Sequence, residues 1–186
     1  AEKVSAAMTE IELEQLIDDH YIGEAQLLTT GAEANLLKLA STMHDIGKLG
    51  VPDVILNKPG KLTKEEFEIM KTHTEIGYSI LKGSKREVLK AAAVVAHEHH
   101  EKWDGTGYPN GLKGEEISIE GRIVAIADVF DALTSKRPYK EPWSIEQTIE
   151  HMQHQAGKHF DPHLVELFIG QIDTVLAIKK AHQERD

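Results

Sequence analysis

Apolar residues recur at helical spacing along most of this chain, and strict alternation is rare. Val4, Met8, Ile11 and Leu16 form one stripe among acidic residues, which predicts an N-terminal helix. Glu33 to His44 predicts a second helix covered by Leu36, Leu37, Leu39 and Ala40, ending near Gly47, with Val51-Pro52 as the break. Lys58-Pro59-Gly60 marks a turn. Thr63 with Glu66, and Ser84 with Glu87, have the capping-box spacing that opens helices. The helix begun by Ser84 carries the Ala91–Ala96 run and should stop near His100, because Gly105, Gly107 and Pro109 cannot continue it. Gly121 to Leu133 is apolar enough to be a buried helix. Ser144 with Gln147 starts another, and Asp161-Pro162 pairs an N-cap with Pro at the first helical position for a last helix toward Ala181. Asn110-Gly111 is suited to closing a small hairpin. The fold class that follows is all-α.

The 186 residues fit one domain with a short N-terminal appendage. The first residue is Ala1 and not Met, which suggests a piece of a longer protein; residues 1–19 read equally as an ordinary first helix or as a connector from an upstream segment, with 20–186 the domain. No apolar run approaches the ~20 residues needed to span a bilayer, and no export signal is visible, so a cytoplasmic location without membrane contact is expected. The absence of cysteine removes disulfides, thiolate metal sites and Cys nucleophiles. A formal net charge of −10 argues against binding nucleic-acid polymers, but cations held in a pocket would reverse the field locally for a small phosphate ligand.

Against that background the 11 histidines stand out. His44-Asp45, His73, His99-His100 and Asp128 provide six candidate ligands spread over separate predicted helices. Imidazole with carboxylate suits Fe, Mn, Zn, Ni or Co better than an all-oxygen magnesium site. Asp45 is the candidate bridge between two cations, since a carboxylate can offer both oxygens. Neighbours on a helix diverge by ~100°, so His44 and Asp45 serve one cluster best where the helix ends. His97, one turn from His100, is an alternative metal partner for it. Isolated histidines such as His20, His151 and His154 read as surface residues. Lys48, four residues after His44, is placed to hold a phosphate oxygen or simply to favour a helix C-terminus.

Several stretches together resemble one family. His44-Asp45-Ile46-Gly47-Lys48, Val51-Pro52-Asp53 and Lys58-Pro59-Gly60-Lys61-Leu62-Thr63 look like the start of an HD-GYP domain. His99-His100-Glu101-Lys102-Trp103-Asp104-Gly105-Thr106-Gly107-Tyr108-Pro109 looks like its signature loop. Arg122 to Asp128, Asp131-Ala132-Leu133-Thr134, Arg137-Pro138-Tyr139-Lys140 and Gly157-Lys158-His159-Phe160-Asp161-Pro162 continue the match, which runs from about Ala32 to Phe168.

The resemblance implies a helical bundle of the HD-domain type, acting as a metal-dependent phosphodiesterase of bacterial signalling that hydrolyses cyclic di-GMP to pGpG and/or GMP. It implies two divalent transition-metal ions, Fe or Mn foremost with Ni or Zn as alternatives, bound by His44, Asp45, His73, His99, His100 and Asp128. Asp45 and Lys48 would be catalytic. Lys48, Gly107, Tyr108, Pro109, Arg137 and Lys140 would contact substrate, with Asp131 supporting them. A diguanylate-cyclase domain, an upstream sensor or receiver domain and a second copy of the chain are the implied partners.

One departure stands against this pattern. The family usually carries a Glu and a His well upstream of the His-Asp pair, and the stretch that would hold them is missing between about Asp19 and His20. The loss favours a two-metal over a trinuclear site. It also keeps two rivals in view: a catalytically impaired module that binds cyclic di-GMP or a partner protein, and a broader HD-type nucleotide phosphohydrolase.

Overall fold

The computed structural model describes residues 31–136 and 141–183; the predicted N-terminal helix, His20, the departure just noted, Arg137 and Lys140 lie outside them. Among the described residues the chain is helical and has no strand. The elements are α1 (Gly31–Ser41), a 3-10 turn (Ile46–Gly50), α2 (Asp53–Leu56), α3 (Lys64–Lys71), α4 (His73–Leu81), α5 (Glu87–Glu98), α6 (Ile119–Thr134), α7 (Ile145–Gln155), α8 (Pro162–Gly170) and α9 (Ile172–Gln183). None of these helices is long and apolar enough to cross a membrane.

Helix α5 is the hub, packed by α1, α4 and α6. Its Ala92, Ala93, Val95 and Ala96 are buried, and their small volumes let neighbouring helices approach closely. The tightest seam runs through Gly47 and Gly77. A Cβ on Gly47 would lie 1.8 Å from the His73 carbonyl oxygen and 2.5 Å from the Gly77 nitrogen. Only glycine therefore lets the 3-10 turn lie on the start of α4. On the other side of α6, Phe130 meets Phe168 edge to face at 5.1 Å, and Met152, Phe160 and Leu164 complete the core.

Local chemistry explains the helix starts. Thr63 and Ser144 each form a full capping box, with Glu66 and Gln147 respectively. Ser118 accepts from the Gly121 amide to open α6, and Asp161 accepts from the His163 and Leu164 amides ahead of α8. Four expectations need correction. Helix α1 stops at Ser41, so His44 and Asp45 occupy the turn after it, and Lys48 sits on the 3-10 turn rather than on their helix. Ser84 does not cap α5; its hydroxyl accepts from the Arg86 amide, and Arg86 is the N-cap without a side-chain bond. The last predicted helix is two helices, because the chain breaks at Gln171. Asn110-Gly111 closes no hairpin: Asp104 and Lys113 form one isolated antiparallel bridge.

A histidine cluster beside an anchored loop

The ends of three helices deliver the histidines, and Asp128 comes from within α6. His44 follows α1, His73 opens α4, His99 caps α5, and His100 begins the loop beyond it. His44, His73 and His99 are almost wholly buried. Each turns its Nδ1 to a backbone carbonyl one helical turn earlier: His44 to Ser41 at 2.7 Å, His73 to Met70 at 2.7 Å and His99 to Val95 at 3.0 Å. A carbonyl can only accept, so Nδ1 carries the proton and Nε2 of a neutral ring presents its lone pair.

Those lone pairs converge. His73 Nε2 is 3.4 Å from His99 Nε2, and donor atoms of His73, His99 and His100 all lie within 4.8 Å of one another. Asp45 stands between this trio and His44. Its Oδ1 is 3.5 Å from His73 Nε2 and 3.9 Å from His99 Nε2, while its Oδ2 is 3.4 Å from His44 Nε2. His44 Nε2 is also 3.9 Å from Asp128 Oδ1. Both His44 Nε2 and Asp45 Oδ1 are buried without a hydrogen-bond partner. Orphaned buried acceptors are costly, and a cation would satisfy both. The donor set thus fits transition-metal ions on its own chemistry. His97 is not part of it: its ring stacks on Tyr78 at 4.4 Å.

The electrostatics follow from burial. Desolvation, reinforced by the neighbouring rings, holds His73 and His99 below the usual imidazole value and His100 down at about 3. His44 goes the other way, because the carboxylates of Asp45 and Asp128 outweigh its own desolvation. Asp45 is half-buried, which alone would raise it, yet His44 and the ammonium of Lys48 keep it well below the carboxylate range. Lys48 reaches Asp45 Oδ2 directly.

The loop after His100 is held from several directions. Glu101, 1% exposed, accepts from the Asn110 amide at 2.7 Å and the Leu112 amide at 3.0 Å. Trp103 and Asp104 donate their amides to the carbonyls of His159 and Lys158, at 3.0 and 2.8 Å. Arg122 lies over the Trp103 ring and pairs with Asp161 at 2.7 Å. Gly107 lies so close to the chain that a Cβ would come within 2.5 Å of Glu101 Cα. These constraints set Tyr108 on His100, ring centroids 4.9 Å apart, with a cis peptide joining it to Pro109. Burial, and then the charges of Asp45 and Asp128, push the Tyr108 hydroxyl upward.

All six expected ligands and Lys48 therefore meet, and Tyr108 borders them. Asp131 is different: it is buried one turn beyond Asp128, where Ser135 donates to its Oδ1 at 2.9 Å and the Lys179 ammonium lies 3.4 Å from the same oxygen. Motif reading gave no role to Glu101, Arg122 or His159. Their only signal was membership of the matched stretches.

A family model described as "HD domain" matches residues 15–164. A 3'3'-cGAMP-specific phosphodiesterase from Vibrio cholerae is 53% identical over 148 residues, 80% of this chain and 28% of that protein. A cyclic di-GMP phosphodiesterase from Thermotoga maritima is 47% identical, across 81% of this chain and 41% of its own length. A cyclic di-GMP phosphodiesterase response regulator from Xanthomonas campestris is 46% identical, across 77% and 38%. The chain thus spans less than half the length of each. Among solved structures, an HDG"Y"P protein from Bdellovibrio bacteriovorus superposes with a TM-score of 0.63 at 20% identity, covering 92% of this chain and 51% of that one. With the family model matched over most of its length, the chain belongs to the HD domain family.

Proposed function

We propose that this domain is a metal-dependent phosphodiesterase that hydrolyses cyclic di-GMP, to pGpG and/or GMP, in bacterial second-messenger signalling in the cytoplasm. The observation that carries the metal half is the convergence of the pinned His73 and His99 imidazoles on Asp45 Oδ1, a carboxylate oxygen that has no hydrogen-bond partner. His73, His99 and His100 would hold one cation and His44 with Asp128 a second, with Asp45 offering one oxygen to each side. Fe or Mn are the favoured ions, ahead of Ni or Zn. Cations bound there would supply an acidified water as nucleophile and positive charge for the phosphoryl oxygens.

The remaining roles fall to the chain itself. Lys48, already beside Asp45, would hold a phosphoryl oxygen as charge builds on it. Tyr108, between Gly107 and Pro109, would bound the substrate pocket next to His100. Arg137 and Lys140 would bind guanine or phosphate groups, and Asp131 would steady the end of α6 that leads to them. A cyclase domain, an upstream sensor or receiver domain, or a second copy would be the partners.

The substrate half rests on the signature loop and on the names of the relatives. A second reading, 3'3'-cGAMP, draws on one relative named for it at 53% identity, against 46–47% for those in Thermotoga and Xanthomonas named for cyclic di-GMP, while two others named for 3'3'-cGAMP share 42%. The test is turnover of both dinucleotides by anaerobically purified protein loaded with Fe(II) or Mn(II), with bound metal counted. Hydrolysis of cyclic di-GMP with about two metals per chain supports the proposal. Exclusive hydrolysis of 3'3'-cGAMP moves the assignment to that substrate. Bound metal and bound dinucleotide without turnover would make the domain a sensor.

A further inference from the structure

Beyond the cluster, Tyr108 has a second aromatic neighbour. Phe67, on the exposed side of α3, meets it edge to face with centroids 6.2 Å apart at 84°. One turn along the same helix, the Lys71 ammonium lies 5.5 Å from the centroid of each ring. Residues four apart share a helix face, so Phe67 and Lys71 present themselves together. Ile69, also exposed, is two residues from Phe67 and so lies off that face.

A single exposed phenylalanine needs no explanation. This one is 45% exposed and continuous with the site, since the Tyr108 ring rests on His100. His100, Tyr108 and Phe67 thus form an unbroken line of rings leading outward from the cluster, with one ammonium above the outer two. Glu68 pairs with Lys71 at 2.7 Å from the exposed side.

Resting on the phosphodiesterase reading, we propose that Phe67 and Lys71, with Tyr108, form a subsite for a guanine base of the substrate. The two residues thereby select a guanine-containing cyclic dinucleotide over a bare phosphodiester. The chemistry matches part by part. An aromatic ring offers a stacking surface to a base, and a lysine ammonium suits the paired O6 and N7 acceptors of guanine, where adenine keeps N7 but puts an amino donor in place of O6. The position matches as well: the line of rings from His100 to Phe67 would lie open to the nucleoside of a phosphodiester held at the histidines.

The experiment compares kcat/KM of the metal-loaded chain for cyclic di-GMP, cyclic di-AMP and bis(p-nitrophenyl) phosphate, with melting temperature and bound metal recorded for each variant. Phe67→Ala should lower the ratio of cyclic di-GMP to bis(p-nitrophenyl) phosphate by roughly ten-fold, chiefly through KM, as expected for loss of one base stack. Phe67→Trp should restore that ratio. Lys71→Met should narrow the preference for cyclic di-GMP over cyclic di-AMP. An unchanged ratio in Phe67→Ala overturns the stacking subsite, and equal losses on both dinucleotides in Lys71→Met overturn the guanine assignment. Wild-type protein that cleaves only the bare diester overturns the substrate reading instead, and the subsite with it.

Discussion

Asp45 divides its two oxygens between different neighbours: Oδ1 lies 3.5 Å from His73 Nε2, while Oδ2 receives the Lys48 ammonium and faces His44. This division separates two functions that mutation can test. Asp45→Asn keeps the shape but replaces one acceptor oxygen by a donor and removes the charge. It should lose bound metal and turnover together, as read by metal analysis and product chromatography. Lys48→Met should keep its metal and lose roughly 10²–10³ in kcat, the usual cost of removing one group aimed at transition-state charge. Full activity in Asp45→Asn would defeat the mechanism.

Glu101 makes a separate prediction, because its carboxylate ties the loop to itself through backbone amides. Glu101→Ala should cost about 1–3 kcal/mol of stability by leaving the Asn110 and Leu112 amides without their acceptor. Tyr108 would then lose its fixed seat on His100. Denaturant unfolding measures the first effect, and a rise in KM measures the second. An unchanged unfolding midpoint would show that water replaces the carboxylate without loss.

Gly47→Ala probes the seam. Its methyl would strike the His73 carbonyl, and backbone on both sides must move to relieve the clash. The expected outcome is a drop in melting temperature together with weaker metal affinity, since His73 and the His44-Asp45 turn meet across this contact. A loss of stability with metal affinity intact would show that the seam and the ligands are independent.

In the core, Phe130→Ala should cost about 3–5 kcal/mol by emptying the space against Phe168. Urea unfolding would read this as a lower midpoint at similar slope.

His159 supplies the pH prediction. Burial, with Lys102 nearby, holds its imidazole down at about 4, against 6.5 for an ordinary histidine. The unfolded chain therefore takes up a proton at a pH where the folded protein does not. The stability associated with the neutral ring is complete above pH 6.5, is lost as pH falls from 6.5 to about 4, and stays lost below that. His159→Gln should flatten this part of the stability profile in metal-free protein, measured by denaturant titration at several pH values. An identical slope in the variant would remove His159 as its source.

Much of this was legible from the residues. The Thr63 and Ser144 caps were readable because both partners of each box lie within four residues. The six candidate ligands could be picked out because imidazoles and carboxylates are rare enough in such groupings to stand out, and the fold brings their side chains together. The end of α1 was misplaced by three residues, because apolar periodicity runs on through Met43 while the backbone has already turned. Ser84 misled for a similar reason: its hydroxyl finds a nearer amide, Arg86, than the one a capping box needs. The roles of Glu101 and Arg122 depend on partners 9 to 39 residues away, which local pattern cannot supply. Phe67 and Lys71 have the spacing of any helix face, and only the folded loop brings Tyr108 to them.

His44 and His99 have one more property in common: each lies just past the C-terminal end of a helix, His44 in the turn after α1 and His99 next to the last residue of α5. The peptide dipoles of a helix leave about half a negative charge at that end, carried by carbonyls with no amide to satisfy them. The rings of His44 and His99 donate through Nδ1 to two carbonyls near those ends, Ser41 and Val95, which also accept the amides of the same two residues, and the ring bonds raise the electron density at Nε2. The bundle is thus polarised toward its cluster before any side-chain carboxylate is counted. A cation arriving there would be drawn by the backbone of two helices as well as by its ligands, and its binding would in turn draw those helices together. Metal at a thousand times its dissociation constant would add about 4 kcal/mol to the folded state, so the same ions that serve chemistry would also act as the bundle's clasp.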